Sequence, residues 1–200
     1  MRRRLVVMVK EPQAGRVKTR LGQQIGMVPA AWWMRHQLHR LLRELRDPKW
    51  ELWLAVAPDC AVASRMFPAD LPRVAQGPGD LGDRMGRLLR RGGDPVARRG
   101  ATGPVCIIGA DIPGVTRAHV WRAFTALGTA DAVFGPAPDG GYWLVGVKHP
   151  SRLPPGTFQD VRWSTEHALA DSCATLPGLR IARVDALQDV DTGADLKQAR

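Results

Sequence analysis

The stretch VCIIGADIPG, residues 105–114, is the clearest indication of the fold. Four apolar residues lead through Gly109 and Ala110 to a single aspartate, Asp111, and Pro113 then stops further strand pairing. The pattern predicts a buried strand that carries one carboxylate to the rim of a sheet, where open α/β sheets bind their ligands. A carboxylate there suits a Mg²⁺ or Mn²⁺ ion that phosphates also hold. The alternative is an aspartate that caps the next turn.

Short apolar runs alternate with helical patterns along the rest of the chain. Besides the run from Val105, strands are predicted at 5–9, 52–56, 73–75, 132–135, 142–147 and 181–184. Helices are predicted at 29–46, 61–66, 81–91, 116–127, 165–175 and 192–199. The alternation predicts an α/β fold in which a mostly parallel sheet is covered on both faces. Because residues 135–165 break the alternation, we expect the sheet to be mixed.

The size and composition predict one globular domain spanning residues 1–200. The hydrophobic fraction of 44% is ordinary, and no apolar run approaches the ~20 residues that a membrane-spanning helix needs. The start of the chain resembles a signal peptide, but the apolar run Leu5–Val9 is shorter than the ~7–15 residues of such a segment. The three cysteines are scattered and form no metal-binding motif. We therefore expect a cytoplasmic protein with reduced cysteines and no membrane span.

The formal net charge is +10, with 29 Lys and Arg against 19 Asp and Glu. Such a balance favours nucleic acid, anionic surfaces or phosphorylated substrates as partners, or else only a well-solvated surface. The arginines are scattered, and some of them flank or lie in a polar loop predicted at residues 92–103. Few aromatic residues are interleaved with them, which argues against nucleic acid as the partner.

A basic loop follows the first predicted strand. Lys10, Arg16, Lys18 and Arg20 supply positive charge, and Gly15 allows a ligand to approach the backbone closely. A strand–loop–helix unit presents backbone N–H groups to an anion, and arginine adds bidentate contacts, so the loop is a candidate diphosphate site. It matches neither a P-loop nor a GxGxxG motif. The alternative is a loop that is basic without a ligand.

The segment Asp139–Trp143 combines a turn with aromatic residues. Gly140 and Gly141 permit a positive φ or a close backbone approach, and Asp139 could accept hydrogen bonds from sugar hydroxyls or act as a base. Trp143 could stack on a sugar. The alternative is an Asp-Gly hairpin turn followed by an aromatic residue of the core.

Two predicted helix starts carry polar side chains. Asp80 and Asp83 suit the cap and the first-turn acid of the helix at 81–91. Arg162 and Ser164 precede the helix at 165–175 and could contact a second phosphate or an acceptor. The alternative there is a plain cap, Ser164 or Thr165, beside a surface arginine.

Asp189 and Asp191 follow the last predicted strand. Alternation places both side chains on one face, so one of them could be a second metal ligand beside Asp111. Asp191 is the favoured ligand and Asp189 the less favoured one. The alternative is a helix cap formed by Asp191 or Thr192.

Taken together, the motifs resemble a bacterial glycosyltransferase-A-like (GT-A-like) family of otherwise unknown function, the radical-SAM/selenodomain-associated transferase 1 type. That family is similar to nucleotide-sugar glycosyltransferases and, more distantly, to guanylyltransferases. The resemblance covers nearly the whole chain. Its ordered blocks are Lys10-Glu11-Pro12 with Gly15–Leu21, Gln76-Gly77 with Gly79–Gly82 and Arg84-Met85, Gly109 with Asp111–Pro113, Gly135-Pro136 with Asp139–Tyr142, Trp163–Thr165 and Asp189–Thr192.

The resemblance implies a GT-A-like nucleotide-diphospho-sugar transferase fold and a role for each block. Residues expected to hold the nucleotide and its phosphates are Lys10, Gly15, Arg16, Lys18, Arg20, Gly79, Asp80 and Arg84. Residues expected to face the sugar or acceptor are Gly140, Gly141, Tyr142, Trp143, Arg162 and Ser164. Asp111 and Asp139 are the expected catalytic residues, and Asp111 with Asp191 the expected ligands of Mg²⁺ or Mn²⁺.

The expected activity is a metal-dependent transfer from a nucleotide-diphosphate donor, foremost a glycosyl transfer to an acceptor that the sequence does not identify. Nucleotidyl transfer with release of pyrophosphate is the alternative on the same fold. A non-catalytic module that binds nucleotides or nucleic acid is a third possibility. The base, the sugar and the oligomeric state are left open.

Overall fold

The computed structural model describes residues 2–92 and 103–198. Most of the polar loop predicted at 92–103, and the end of the last predicted helix at Ala199, lie outside these residues. Seven strands are described: β1 (Arg4–Lys10), β2 (Glu51–Ala57), β3 (Arg73–Ala75), β4 (Val105–Gly109), β5 (Ala132–Pro136), β6 (Tyr142–Val147) and β7 (Ile181–Arg183). The described α-helices are α1 (Thr19–Ile25), α2 (Met27–Glu44), α3 (Leu81–Arg91), α4 (Arg117–Ala126), α5 (Ala168–Ala174) and α6 (Gly193–Gln198).

The strands form one sheet in the order β3-β2-β1-β4-β6-β5-β7. Every neighbouring pair is parallel except the two that involve β6, which is antiparallel to β4 and to β5. The cause is the short connection between β5 and β6, because a turn of that length can join only antiparallel strands. The predicted α/β fold with a mostly parallel, mixed sheet is therefore confirmed.

The sheet is buried on both faces, as the continuous apolar strands predict. In β1, Leu5, Val7 and Val9 contribute to one core cluster, together with the apolar face of α2 and residues of α4. Val6 contributes to the opposite cluster, which includes Leu88 and Leu89 of α3 and residues that flank or lie in α5. These two apolar layers give the three-layer α/β/α arrangement.

Three helical segments in the first third of the chain differ from the prediction. A separate short helix, α1, precedes α2, and the glycine between them, Gly26, has a φ of 96°. Helix α2 then starts at Met27 rather than at Pro29, because proline fits anywhere in the first turn, where its missing N–H is not needed. The weakly patterned segment at 61–66 forms a 3-10 helix at Asp59–Ala63 instead.

The helix predicted at 165–175 is shorter than expected, and its predicted caps are wrong. Helix α5 begins at Ala168 with His167 at the N-cap. Ser164 has a left-handed φ of 59°, so it cannot lead directly into a right-handed helix. The Thr165 hydroxyl accepts a hydrogen bond from His167 N–H at 3.2 Å within a local turn. The segment from Trp163 to His167 is thus an irregular connection.

The topology brings several predicted site residues to one edge of the sheet. The carboxyl ends of the parallel strands β1, β3, β4 and β5 lie along this edge, and the antiparallel strand β6 begins there. Lys10 ends β1, Asp111 follows β4, and the Asp139 turn joins β5 to β6. This is the edge at which open α/β sheets bind ligands.

Candidate active site

A cavity of about 760 Å³ opens at the carboxyl edge of the sheet. Its walls come from the loop after β1, the start of α3, the loop after β4, the turn between β5 and β6, and the segments around residues 163–165 and 189–191. The volume falls within the ~300–1,000 Å³ of typical small-molecule sites. The cavity therefore has the size and the position expected of a substrate site.

Three carboxylates converge on this cavity. Asp111, Asp189 and Asp191 each offer one oxygen, and the three oxygens lie within 4.8 Å of one another. Their side chains are partly buried, with 31%, 38% and 42% of the side-chain surface exposed, respectively. The sequence predicted Asp111 with Asp191 and ranked Asp189 lower, but the structure brings all three together.

The main chain fixes this cluster by joining two loops. Val190, between the two later aspartates, is buried against Leu21 and Ala30, so its neighbours point the other way into the cavity. Its N–H donates a hydrogen bond to the carbonyl of Asp111 at 3.2 Å. The alternation predicted for Asp189 and Asp191 thus has a structural cause, a single apolar anchor between them.

A fourth carboxylate supports the loop from the side away from the cluster. Asp195 accepts hydrogen bonds from the backbone N–H groups of Asp191 at 3.1 Å and of Thr192 at 2.7 Å. Its carboxylate thereby stabilises the turn that leads into α6 and leaves the carboxylate of Asp191 available to the cavity. The sequence did not single out Asp195, because its role depends on the turn geometry.

Lys18 extends into the middle of the cluster. Its Nζ lies 2.6 Å from Asp111 Oδ2, 2.7 Å from Asp191 Oδ1 and 3.9 Å from Asp189 Oδ2, and 9% of its side chain is exposed. Its backbone has a left-handed φ of 47° at the N-cap of α1. The sequence predicted a phosphate contact for Lys18, whereas in this structure its ammonium group is bound to the acidic cluster.

The electrostatics reflect this close packing of charges. Burial acts to lower the pKa of Lys18, but the charges and hydrogen bonds of Asp111 and Asp191 outweigh it, so the pKa is raised above 10.5. Burial, together with the negative charges of Asp111 and Asp191, raises the pKa of Asp189 to about 6. One ammonium group therefore does not fully compensate three carboxylates.

These residues fit a divalent cation by their chemistry. Carboxylate oxygens are the ligands that Mg²⁺ and Mn²⁺ prefer, and three of them meet at one point. The Lys18 ammonium group already shows that this point attracts a positive charge. The cluster is the one group of three or more potential ligands found among residues 2–92 and 103–198.

Basic residues surround the cluster on the cavity wall. Lys10, Arg16, Arg20 and Arg84 all line the cavity, as predicted for phosphate contacts. Arg20 is 76% exposed, with Nη1 3.6 Å from Asp191 Oδ2. Arg84 is oriented by a hydrogen bond of 3.0 Å from its Nε to the carbonyl of Gly79. Positive side chains are thus available beside the acidic cluster.

Three predicted nucleotide-binding residues shape the loops without lining the cavity. Gly15 and Gly79 have φ values of 75° and 94°, which an L side chain rarely adopts. Asp80 caps α3 in a capping box with Asp83, and its Oδ1 accepts the Asp83 N–H at 2.9 Å. The cap predicted from the sequence is confirmed, and it is the role the structure shows for this carboxylate.

Asp139 lies on the turn between β5 and β6 and faces the cavity. Its Oδ1 accepts the backbone N–H of Gly141 at 2.9 Å, which orients the carboxylate. Gly140, with a φ of 83°, has no room for a side chain because a Cβ would strike the backbone of Glu166. The Gly140 carbonyl also accepts the Leu169 N–H at 3.0 Å, so a backbone hydrogen bond joins this turn to the start of α5.

The two aromatic residues after this turn, Tyr142 and Trp143, have hydrogen-bond partners within the protein. The Tyr142 hydroxyl lies 3.1 Å from Ser172 Oγ, and burial raises its pKa. Trp143 is 4% exposed, and its Nε1 donates to the carbonyl of Asp185 at 2.8 Å. Both residues line the cavity, but the Trp143 indole ring also packs in the core, so little of it is exposed for the predicted stacking on a sugar.

Of the two residues Arg162 and Ser164, Ser164 alone lines the cavity. Arg162 forms a two-pronged ion pair with Asp171 of α5, at 2.8 and 2.9 Å, and it does not line the cavity. Its predicted phosphate or acceptor contact is therefore corrected to a surface ion pair. Ser164 is exposed and lines the cavity, as predicted.

Gln76 and Trp163 also line the cavity, and the sequence assigned no role to either. Gln76 is buried below the cavity and donates from Nε2 to the carbonyls of Val9 at 3.2 Å and Ala55 at 2.9 Å. Trp163 forms part of the wall and packs edge-on to Tyr142. Both lie within the sequence blocks that carry the family resemblance. That resemblance was the signal from which a role for them could have been predicted.

The seven-stranded mixed sheet, with its cavity at the carboxyl edge, has the fold of the nucleotide-diphospho-sugar transferases. At the family level, residues 41–165 match the model of DUF2064, described as an uncharacterized protein conserved in bacteria. The chain belongs to this family, and the family resemblance seen in the sequence is confirmed. None of the curated proteins compared matches the chain.

Solved structures agree with this fold. A protein from Desulfovibrio desulfuricans G20, assigned as a nucleotide-diphospho-sugar transferase, is 28% identical with a TM-score of 0.78, over 96% of this chain and 84% of that one. The 4-diphosphocytidyl-2C-methyl-D-erythritol synthase of Anaerococcus prevotii DSM 20548 is 9% identical with a TM-score of 0.59, over 98% and 94%. A manganese complex of Rv0371C from Mycobacterium tuberculosis H37Rv is 16% identical with a TM-score of 0.53, over 100% and 98%.

Proposed function

We propose that this protein is a divalent-metal-dependent transferase that uses a nucleotide-diphosphate donor and transfers a glycosyl group. The observation that carries the proposal is the meeting of Asp111, Asp189 and Asp191 within 4.8 Å on the wall of a cavity that basic side chains also line. A nucleoside diphosphate carries the negative charge that such basic side chains bind. The D. desulfuricans protein of similar structure carries a nucleotide-diphospho-sugar transferase assignment, which supports the choice of donor.

The acidic and the basic residues of the cavity would have different roles. The three aspartates would hold the cation, which when bound supplies positive charge against the diphosphate and stabilises the leaving group. Lys10, Arg16, Arg20 and Arg84 would bind and orient the phosphates through charge-assisted hydrogen bonds. Arg16 belongs to the loop after β1, as the sequence predicted, whereas Lys10 is the last residue of β1 itself.

Asp139 is positioned to accept a proton from the acceptor. Its carboxylate faces the cavity, and the Gly141 N–H holds one oxygen while the second is left to receive a hydroxyl proton. Its charge is close enough to help raise the pKa of Asp189. The proposed base thus stands beside the proposed metal site, where the donor's bond to its phosphate would break.

Nucleotidyl transfer is the second candidate, because the same fold occurs in a cytidylyltransferase-type neighbour, the A. prevotii synthase. The two reactions differ in the leaving group. A glycosyltransferase releases a nucleoside diphosphate from a nucleotide sugar, whereas a nucleotidyltransferase releases pyrophosphate from a nucleoside triphosphate. Product analysis by phosphorus NMR with each class of donor separates them.

Titration calorimetry tests the proposal. UDP-, GDP- and CDP-linked sugars are titrated into the protein with Mn²⁺ and again with a chelator. We expect one class of donor to bind with Mn²⁺ and to lose at least about tenfold in affinity without it, equivalent to ~1.4 kcal/mol. Asp111→Asn should cause a similar loss, whereas Asp70→Asn, at an exposed ion pair with Arg46, should not. Donor binding that ignores both Mn²⁺ and Asp111→Asn would remove the proposal.

A further inference from the structure

An apolar patch lies on the surface beside the candidate active site. Ile25, Met27, Val28 and Trp32, here called the corner patch, are 36%, 36%, 58% and 59% exposed. They lie where α1 ends and α2 begins, and residues 23–29 form an unbroken exposed run. Large apolar side chains concentrated in one exposed corner differ from the single scattered ones that are normal on a protein surface.

A basic helix face continues from the corner patch. In α2, residues 28, 32, 35, 36, 39 and 43 follow the spacing of one helical face. Val28 and Trp32 form its apolar end, and the ring of Trp32 stacks on His36 at 5.9 Å. Arg35 and Arg43 follow, both exposed.

The positive charge of this face is local and uncompensated within the helix. Burial and then the charges of Arg35 and Arg43 lower the pKa of His39, which shows that both guanidinium groups act on the same surface. The one acidic residue of α2 is Glu44, at its end, and Glu44 accepts a hydrogen bond from the backbone of Arg117. An apolar tip continuous with a cationic face is the arrangement by which helices lie on anionic lipid.

We propose that the corner patch and the basic face of α2 dock on the surface of an anionic phospholipid bilayer. Val28 and Trp32 would enter the headgroup region, and Arg35 and Arg43 would pair with lipid phosphates. A second copy of the chain fits less well, because a two-fold contact would bring identical arginines together. Four apolar side chains also fall far short of the ~20–30 residues that each partner gives to a stable interface.

Docking in this way would place the cavity at a short distance from the bilayer surface. Helix α1 begins at Thr19 and Arg20, which line the cavity, and ends at Ile25 in the corner patch. Seven residues of helix span only about 10 Å. Docking through the corner patch therefore sets this rim of the cavity near the lipid surface. The inference does not depend on the reaction proposed above.

Vesicle co-sedimentation tests the inference with the 200-residue protein. Phosphatidylcholine vesicles are compared with vesicles that also contain phosphatidylglycerol. We expect binding to the anionic vesicles, weakened by added salt, and little binding to phosphatidylcholine alone. Val28→Ser combined with Trp32→Ser should weaken binding about tenfold or more, and Arg35→Gln combined with Arg43→Gln should have an effect of similar size.

A control variant and a check of folding separate a loss of the corner patch from a general effect of mutation. Trp121→Ser changes a tryptophan of 36% exposure on α4, which is away from the corner patch and packs against Arg3 and Lys49, and it should leave vesicle binding unchanged. Circular dichroism confirms that each variant is folded. The inference is overturned if anionic vesicles do not bind the protein, or if the Val28/Trp32 variant binds as the parent does. It is also overturned if that variant instead abolishes a concentration-dependent dimer.

Discussion

Lys18 occupies the position that a metal ion would take, and its surroundings explain why. Its ammonium group lies within 2.7 Å of two carboxylates and its side chain is 9% exposed, so it offsets the mutual repulsion of the acidic cluster. A cation that binds the same oxygens must displace this group. Lys18 would then be free to reach a phosphate, which is the role that the sequence predicts for it.

Replacement of Lys18 by methionine tests this relation. The variant should lose about 1–3 kcal/mol of stability without metal, because three partly exposed carboxylates are left without their nearest counter-charge. Added Mn²⁺ should raise its melting temperature more than that of the parent, since no ammonium group competes for the site. Lys148→Met, at a lysine bonded to the Gly128 carbonyl, is the control and should respond to Mn²⁺ like the parent. An equal Mn²⁺ response in Lys18→Met and the parent would contradict the account.

Arg162 was predicted to contact a phosphate or an acceptor, but its guanidinium group pairs with Asp171 instead. Hydrogen bonds from Arg162 hold the pKa of Asp171 at about 2, below its ordinary 3.8. Because the folded-state pKa is the lower one, this ion pair contributes stability above a pH of about 3.8 and loses it as the pH falls towards about 2. The pair is exposed, so its contribution is small.

Arg162→Gln should therefore lower the urea midpoint slightly at neutral pH, and the difference from the parent should shrink as the pH falls through about 4 to 3. Nucleotide binding should be unaffected, because Arg162 does not line the cavity. A stability difference that stays constant with pH, or a loss of nucleotide binding, would contradict this assignment.

At the scale of the elements, Gly82 of α3 determines how closely the helix approaches the cavity wall. A Cβ at this position would strike the carbonyl of Phe158 and come within 3.1 Å of the Trp163 ring. Gly86, one turn later, is freer, since a Cβ there would meet mainly the flexible end of Arg90 at 3.0 Å. The same helix thus offers a matched pair of glycines.

Gly82→Ala should cost about 1–3 kcal/mol of unfolding free energy through overpacking. Gly86→Ala should be neutral or stabilise by up to about 1 kcal/mol, because alanine is the better helix former. Urea unfolding of the two variants measures the contrast. Equal effects would mean that the contact between α3 and the Phe158–Trp163 segment is looser than described.

The sequence predicted elements best where the evidence was local. The apolar run before Asp111 and the capping pair of Asp80 and Asp83 are short-range patterns, and both are confirmed. The predicted caps at Ser164 and Thr165 failed because a left-handed φ is set by surrounding contacts and not by residue type. The ion pair between Lys18 and Asp111 could not be predicted from the sequence either. The two residues lie far apart in the chain, and only the folded sheet brings them together.

At the scale of the whole molecule, some of the 29 lysines and arginines are engaged in local ion pairs. Arg46 pairs with Asp70, Arg122 with Asp185, and Arg162 with Asp171. Arginines tied to neighbouring acids contribute less to a broad electrostatic surface for nucleic acid. In the described part of the chain, no helix has the length and apolarity to cross a membrane.

Fluorescence anisotropy with duplex DNA tests the nucleic-acid alternative. At a salt concentration of about 0.15 M we expect no binding tighter than the ~10⁻⁴–10⁻⁶ M typical of non-specific contacts. Saturable binding well below this range, with a steep dependence on salt, would favour a nucleic-acid-binding module instead.

The central claim is that Asp111, Asp189 and Asp191 hold a divalent cation against the phosphates of a nucleotide. Its most direct test is anomalous diffraction from crystals soaked with Mn²⁺ and a nucleoside diphosphate. The account predicts a manganese peak within about 2.5 Å of these carboxylates, with the diphosphate beside it and the Lys18 ammonium group displaced. A nucleotide bound without manganese at this cluster, or manganese bound elsewhere while Lys18 stays paired with Asp111, would contradict it.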